Sequence, residues 1–446
     1  LDTGREVINS SGIDPKFVKG IGITNQRETT LVWNKKTGEC VYNAIVWQDR
    51  RTISTCIEMD SAIMDGKALS EQIADKTGLL IDPYFSSTKL HWILSEIVVS
   101  DSSLDIDDLL FGTVDTYLIW KLTGGHSHTT DVTNASRTQL LNISTLEWDE
   151  DLLKYFDIPG FLLPKVLDSS AQYGYAEEKW FGAPVPITGV AGDQQAALVG
   201  QCCFDSGMSK VTLGTGCFIM TNNGSEKYLP KDGLLTTIAY RINGQTSYAS
   251  EGSIFVAGQA VKWLRDQLGI IESVKDTEKA FVATKGDAGG VSVVPAFTGL
   301  GAPHWDPEAR GLISGLTLDT SVEQIVVATL QSIALQIADL VSLMLKGGPV
   351  DQLRVDGGMA VNDPFCQFLA DILGQNVNRP IDTETTARGA ALLAGLGSGV
   401  WKDLNEIRAT WQAERIFTPD MEQGLRNSLV EEFALSVERA KLRLKS

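Results

Sequence analysis

Asp193 stands at the most chemically loaded point of the chain. It closes the run Gly189-Val190-Ala191-Gly192-Asp193-Gln194-Gln195, where the apolar stretch 185–191 passes through Gly-Asp into helix-forming residues. That is the pattern of a buried strand, a tight turn and a helix start. It puts a carboxylate at the carboxyl end of a strand, where open α/β sheets bind their ligands. A carboxylate there can take a proton from a substrate hydroxyl. An aspartate that opens a helix also caps it, and the segment alone supports both readings.

Other segments carry groups that could hold a small polar ligand. Leu213-Gly214-Thr215-Gly216-Cys217-Phe218 follows a predicted strand. Its glycines let backbone N–H groups approach an anion, and Thr215 adds a hydroxyl; the same residues also read as a hairpin turn. Asp356-Gly357-Gly358, with Asn362 just before a helix, either cradles a nucleotide on the helix N-terminus or is a tight strand-to-helix turn. Asn25-Gln26-Arg27-Glu28-Thr29 presents an Arg-Glu pair after a strand, as a solvated ion pair or as donor and acceptor for polyol hydroxyls. Trp47-Gln48-Asp49-Arg50-Arg51 and Asp82-Pro83-Tyr84-Phe85 add aromatic faces that suit carbon–hydrogen surfaces. There is no Gly-x-x-x-x-Gly-Lys-Ser/Thr, no Gly-x-Gly-x-x-Gly opening a helix and no His-Glu-x-x-His. P-loop, Rossmann and zincin chemistry are therefore disfavoured.

The elements that would position these groups follow from periodicity and punctuation. Helix is expected over 2–10, strand over 18–24, and a hairpin from 30–33 through the turn 35–38 to 40–42. Helix follows over 85–99, strand over 109–114, helix over 116–122 and a polar loop over 124–128. Residues 207–248 are rich in β-formers and glycine, and helices dominate 254–268 and 322–346. The strand, acidic turn and helix around Asp356 repeat the plan around Asp193, which would suit two like domains facing a cleft. A chain of 446 residues exceeds one ordinary core of ~100–200 residues. We place the boundary near residue 200, giving domains 1–200 and 201–446.

A net charge of -18 opposes binding to nucleic-acid phosphates. The apolar stretch 325–345 is broken by Gln331, Gln336 and Asp339 at helical spacing, so it reads as an amphipathic helix and not a membrane span. Six cysteines without metal-ligand spacing suit a reducing, cytoplasmic compartment, with Cys202 and Cys203 packed as small apolar groups.

Seven segments, in order, resemble the FGGY carbohydrate kinase family, and within it the glycerol kinases. They are Gly-Ile-Thr-Asn-Gln-Arg-Glu-Thr-Thr (22–30), Val-Trp-Gln-Asp-Arg-Arg-Thr (46–52), Asp-Pro-Tyr-Phe-Ser-Ser-Thr-Lys (82–89), Thr-Asp-Val-Thr-Asn-Ala-Ser-Arg-Thr (130–138), Gly-Asp-Gln-Gln-Ala-Ala-Leu (192–198), Gly-Thr-Gly-Cys-Phe (214–218) and Trp-Asp-Pro-Glu-Ala-Arg-Gly (305–311). The resemblance implies an α/β fold of two ribonuclease-H-like (actin-like ATPase) domains flanking a cleft. It implies glycerol held by Arg27, Glu28, Trp47, Tyr84, Asp193 and Gln194, with Phe218 on one side. ATP would touch Thr215, Gly258, Lys262, Gly358 and Asn362, and Asp193 would serve as general base and Mg²⁺ ligand. The implied reaction is phosphorylation of glycerol to sn-glycerol 3-phosphate by a dimer or tetramer.

The chain also departs from the family pattern. The family opens with a hairpin bearing Asp-x-Gly-Thr-Thr-Ser-x-Arg that contacts the phosphates, and the resemblance implies roughly 50–60 residues before Leu1. Lys262 stands where many members have Gln, and Gly182-Ala183-Pro184 lacks the Arg of the loop that binds a sugar bisphosphate. The alternatives are a kinase for another polyol or sugar, and a truncated, non-catalytic binding product.

Overall fold

The structure, a computed structural model, describes residues 1–64, 66–228, 232–347 and 352–442. Ten strands form one sheet: β1 (Ile21–Asn25), β2 (Ser170–Ala176), β3 (Val185–Gly192), β4 (Met208–Leu213), β5 (Cys217–Gly224), β6 (Leu235–Ile242), β7 (Gln245–Ile254), β8 (Gln352–Asp356), β9 (Val377–Pro380) and β10 (Ala413–Phe417). Their spatial order is β1-β3-β2-β6-β7-β5-β4-β8-β9-β10. The two halves of the chain meet in this sheet by the single pairing Ser170↔Ile242 between β2 and β6.

β3 is the strand expected before Asp193. Its residues are buried on both faces, as a run of apolar and small side chains requires, apart from the half-buried Pro186. It pairs in parallel with β1, with Asn25 opposite Gly192, so Arg27 and Asp193 leave the sheet at the same edge. On the other half, β4 pairs in parallel with β8, with Thr212 opposite Asp356. The repeated plan thus brings two acidic residues, Asp193 and Asp356, to the ends of parallel strands.

Eight helices matter here: α1 (Asp2–Ser11), α2 (Ser86–Trp92), α3 (Val114–Leu122), α4 (Asp193–Gly200), α5 (Gly258–Asp266), α6 (Val322–Gly347), α7 (Asp363–Leu373) and α8 (Thr385–Gly397). α6 is long and apolar enough to span a membrane by composition, but 72% of that stretch is buried in the protein. Its side chains Val326, Val327, Leu330, Ile333, Ala334, Ile337 and Leu340 anchor the largest apolar core, which lies beneath β4, β5 and β8. α8, from the second half, lies on β1, β3 and α4 of the first. Glycines allow that approach: a methyl on Gly389 would run into the Ala196 carbonyl, and one on Gly200 into the Thr385 carbonyl.

One local expectation is met and one is corrected. The hairpin over 30–42 forms: Trp33↔Cys40 bridges antiparallel, the Val41 N–H donates to the Val32 carbonyl at 2.9 Å, and the Gly38 N–H closes the turn on the Asn34 carbonyl at 2.7 Å, while Leu31–Asn34 also pairs antiparallel with the distant Leu109–Gly112. The 254–268 helix is shorter, because β7 runs to Ile254 and α5 starts at Gly258. The apolar residues between them pack as a connection, which periodicity over so short a run does not distinguish from helix.

Candidate active site

β1 ends in a three-residue turn. The Thr29 N–H donates to the Arg27 carbonyl at 2.7 Å, and Glu28 at the apex has φ 59. This left-handed conformation is uncommon for a residue with a side chain. The Glu28 carbonyl is gripped by the hydroxyls of Ser86 (3.1 Å) and Thr30 (3.2 Å). The turn sends Arg27 and Glu28 inward, not to solvent, and both are buried.

There they join a ring of alternating charge. The two terminal nitrogens of Arg27 donate to Glu251 at 2.7 and 2.8 Å, a bidentate pair. Arg137 donates to Glu28 at 2.7 Å through Nε and to Glu251 at 3.1 Å through Nη2. Burial pushes the Glu251 carboxyl up, but Arg137 and Arg27 together outweigh it and hold it down at about 2. At Glu28 burial prevails over the same two arginines and raises the carboxyl. Arg27 Nη2 also reaches the Tyr84 hydroxyl at 3.4 Å, and its Nε lies 3.4 Å from Asp193 Oδ1.

Asp193 is the first residue of α4, with Gly192 as the cap, so the capping reading holds only in part. Its Oδ1 accepts the Gln194 N–H at 2.8 Å, while Oδ2 accepts the Gln194 side-chain amide at 3.2 Å. The carboxylate remains 34% exposed beside a ring of fully buried charges. The turn is fixed from behind: the Gly192 N–H donates to the Thr133 hydroxyl at 2.9 Å, and that hydroxyl donates to buried Asp131 at 2.9 Å. Trp47 stands edge-on to Tyr84 (5.5 Å between centroids) and to Phe218 (6.2 Å), forming an aromatic wall over the polar groups.

The other candidate residues gather on the second half. The Gly258 N–H donates to the Gly214 carbonyl at 3.0 Å and the Gln259 N–H to the Thr215 carbonyl at 3.1 Å, so the 214–216 turn caps the start of α5. Thr215 and Lys262 line a cleft of about 730 Å³ with Gln259, Trp263, Phe297 and Arg310. Gly357 (φ 84) turns β8 toward α7, and Met359 N–H donates to the Leu213 carbonyl at 3.2 Å. Gly358 has open space where a side chain would point. Asn362 is buried: its oxygen caps α7 by accepting the Phe365 N–H at 2.9 Å, and its amide donates to Thr277 at 3.0 Å. A second cleft of about 370 Å³ includes Trp47 and Tyr84, and shares Gln48, Phe255 and Thr298 with the first. The aromatic wall and the Thr215 cleft therefore adjoin.

Residues 1–200 match the FGGY family of carbohydrate kinases, N-terminal domain, and residues 209–398 match its C-terminal domain. The chain belongs to the FGGY family of carbohydrate kinases. This FGGY kinase is 50% identical over 440 residues to the glycerol kinase of Marinomonas sp. (strain MWYL1), covering 98% of this chain and 88% of that protein. It is 52% identical over 443 residues to glycerol kinase 2 of Thermotoga maritima, covering 99% and 88%. Among solved structures it resembles Plasmodium falciparum glycerol kinase with ADP, at TM-score 0.89 and 36% identity over 99% of this chain and 88% of that one. A xylulose kinase from Lactobacillus acidophilus shares the fold at TM-score 0.85 and 24% identity, over 99% and 88%.

Three charged residues of this FGGY kinase's site escaped the sequence reading: Arg137, Lys210 and Glu251. Each had a signal. Glu251 and Lys210 are lone charges inside the segment 207–254 of strand character, and a charge in a strand covered on both faces has to be paired. Arg137 lies in the 130–138 segment, quoted above without a role.

Proposed function

We propose that the chain transfers the γ-phosphoryl group of ATP to a terminal hydroxyl of glycerol, giving sn-glycerol 3-phosphate and ADP. The observation that carries this is Asp193: a part-exposed carboxylate at a strand end, 3.4 Å from buried Arg27, which in turn meets Glu28 and the Tyr84 hydroxyl of the Trp47–Tyr84 aromatic pair. The relatives named glycerol kinase support the choice of substrate.

A new bond forms between the glycerol oxygen and the γ-phosphorus while the bond to the β–γ bridging oxygen breaks. The hydroxyl proton passes to Asp193. Arg27 and Glu28 offer a donor and an acceptor to the remaining hydroxyls, and Tyr84 adds its own hydroxyl. Trp47 and Phe218 cover the carbon–hydrogen faces, which favours a short polyol over water. On the second half, the backbone turns at Thr215, Gly258 and Gly358 offer N–H groups and room to a nucleotide, and Asn362 fixes the N-terminus of α7. Lys262 lines the Thr215 cleft as an exposed cation.

The donors present suit Mg²⁺. Among the described residues no cluster of three His, Cys, Asp or Glu side chains forms a dedicated cage. One carboxylate, Asp193, together with nucleotide phosphate oxygens and water is the ordinary magnesium arrangement. The ion would neutralise phosphate charge. The six free thiols fit work in a reducing cytoplasm.

A substrate panel tests the assignment. Glycerol should give the highest kcat/KM among glycerol, longer polyols and pentuloses. A pentulose that outperforms glycerol would move the chain to another branch of the family.

A further inference from the structure

Lys210 is a cation with no solvent. It sits on β4, fully buried, and the proposed reaction assigns it no role. Its ammonium has three acceptors: the Gln194 side-chain oxygen, the Thr212 hydroxyl at 2.9 Å and the Phe218 carbonyl at 3.5 Å. Two of these belong to the polyol wall. The charged groups that face it come from both halves: Asp356 at the end of β8, Asp193 at the end of β3, Arg27 after β1 and Glu251 on β7.

The contact with Gln194 decides the orientation of an amide. With its oxygen held by Lys210, Gln194 has its NH₂ turned to the Asp193 carboxylate, 3.2 Å away. A flipped amide would set NH₂ against an ammonium and oxygen against a carboxylate, and both contacts repel. An uncharged residue at 210 would leave only the Asp193 carboxylate to set the orientation and would free the amide oxygen from its anchor. Ammonium, amide and carboxylate thus form one chain, Lys210–Gln194–Asp193, in which each group fixes the next.

We propose that Lys210 is a positioning residue for the phosphoryl transfer, acting through the Gln194 amide to hold Asp193 in its reactive orientation. This rests on the reading of Asp193 as the base. It also assigns a reason for a fully buried lysine in β4, between buried Ser209 and Val211. Lys210 spends its hydrogen bonds on Gln194, Thr212 and Phe218, so its effect falls on kcat more than on nucleotide binding.

The test is a double-mutant cycle in glycerol-dependent ADP formation, with ADP affinity measured by titration calorimetry on the same proteins. Lys210→Met should lower kcat about tenfold or more, since small displacements of a reacting group cost up to ~10²-fold, with ADP affinity within about twofold. Gln194→Leu should lower kcat too, and Lys210→Met added to it should cost less than about threefold, because the amide through which Lys210 acts is already gone. Independent, multiplying losses would overturn the proposal, as would a Lys210→Met enzyme with unchanged kcat. If Lys210→Met does not fold, Gln194→Glu probes the same chain from its middle. It keeps Lys210's partner and removes the amide donor to Asp193, so kcat should fall with ADP affinity intact; an unchanged kcat would again overturn the proposal. A wild-type chain without glycerol-dependent turnover would instead refute the reading on which this one stands.

Discussion

Arg27 and Glu251 lie 224 residues apart in sequence and meet in a bidentate ion pair of 2.7 and 2.8 Å, with both side chains buried. One comes from the end of β1 and the other from the middle of β7, so the pair ties the two halves of the chain together at the polyol wall. A buried pair adds little net stability over apolar residues, but removing one partner leaves an uncompensated charge.

Glu251→Ala should therefore destabilise the fold by about 3–5 kcal/mol, read from urea unfolding. It should also raise the KM for glycerol, because Arg27 and Arg137 lose the carboxylate that aims them. Glu251→Gln keeps the shape and should lose less stability than Glu251→Ala. Equal stability of Glu251→Ala and wild type would mean that the ring carries no structural role.

Acid stability follows from the same carboxylate. The folded state holds Glu251 down at about 2, below the ordinary glutamate value of ~4.3. The unfolded chain thus binds this proton first as pH falls. The contribution is complete above the unfolded value and is lost as pH falls from there toward 2. The stability of the wild type should drop across that window more steeply than that of Glu251→Gln. Parallel curves for the two would contradict the assignment.

Trp47 offers a face and no charge. Trp47→Ala should raise the KM for glycerol about tenfold, about 1.4 kcal/mol of binding, and change kcat less. A loss confined to kcat would place Trp47 in a different role.

The α4–α8 crossing depends on hydrogen in place of a side chain. Gly389→Ala should push the helices apart against the Ala196 carbonyl, at a cost of about 1–3 kcal/mol. Gly399→Ala, whose added methyl meets nothing within 4 Å but whose φ is 75, supplies a comparison in which only backbone strain acts. If the two lose equal stability, the crossing is not close-packed.

Much of this arrangement was legible before any coordinates. The strand, turn and helix at Asp193 came within a residue of β3 and α4, because the apolar run is long and the Gly-Asp punctuation is sharp. The strand, turn and helix around Asp356 were legible for the same reason, as β8 and α7. The local partner of Leu31–Asn34 was legible too, but the distant one was not: Leu109–Gly112 lies some 75 residues on, and alternation within one strand carries no information about such a neighbour. Glu251 and Lys210 escaped for a related cause. A lone charge in a strand faces either solvent or a partner, and only the fold says that Glu251 meets Arg27 and that Lys210 meets Gln194. Asn362 shows the reverse: its place before a helix was evident, while its capping bond to Phe365 and its bond to Thr277 are visible only in three dimensions.

The most direct test of the account is glycerol-dependent ADP formation by this chain with Mg-ATP, beside Asp193→Asn. The account predicts turnover in the wild type and a loss of about 10²–10⁴-fold in the variant, the usual contribution of a general base, with the variant still folded and still binding ADP. A folded wild-type chain that forms no ADP in response to glycerol, or an Asp193→Asn variant as active as wild type, would contradict it.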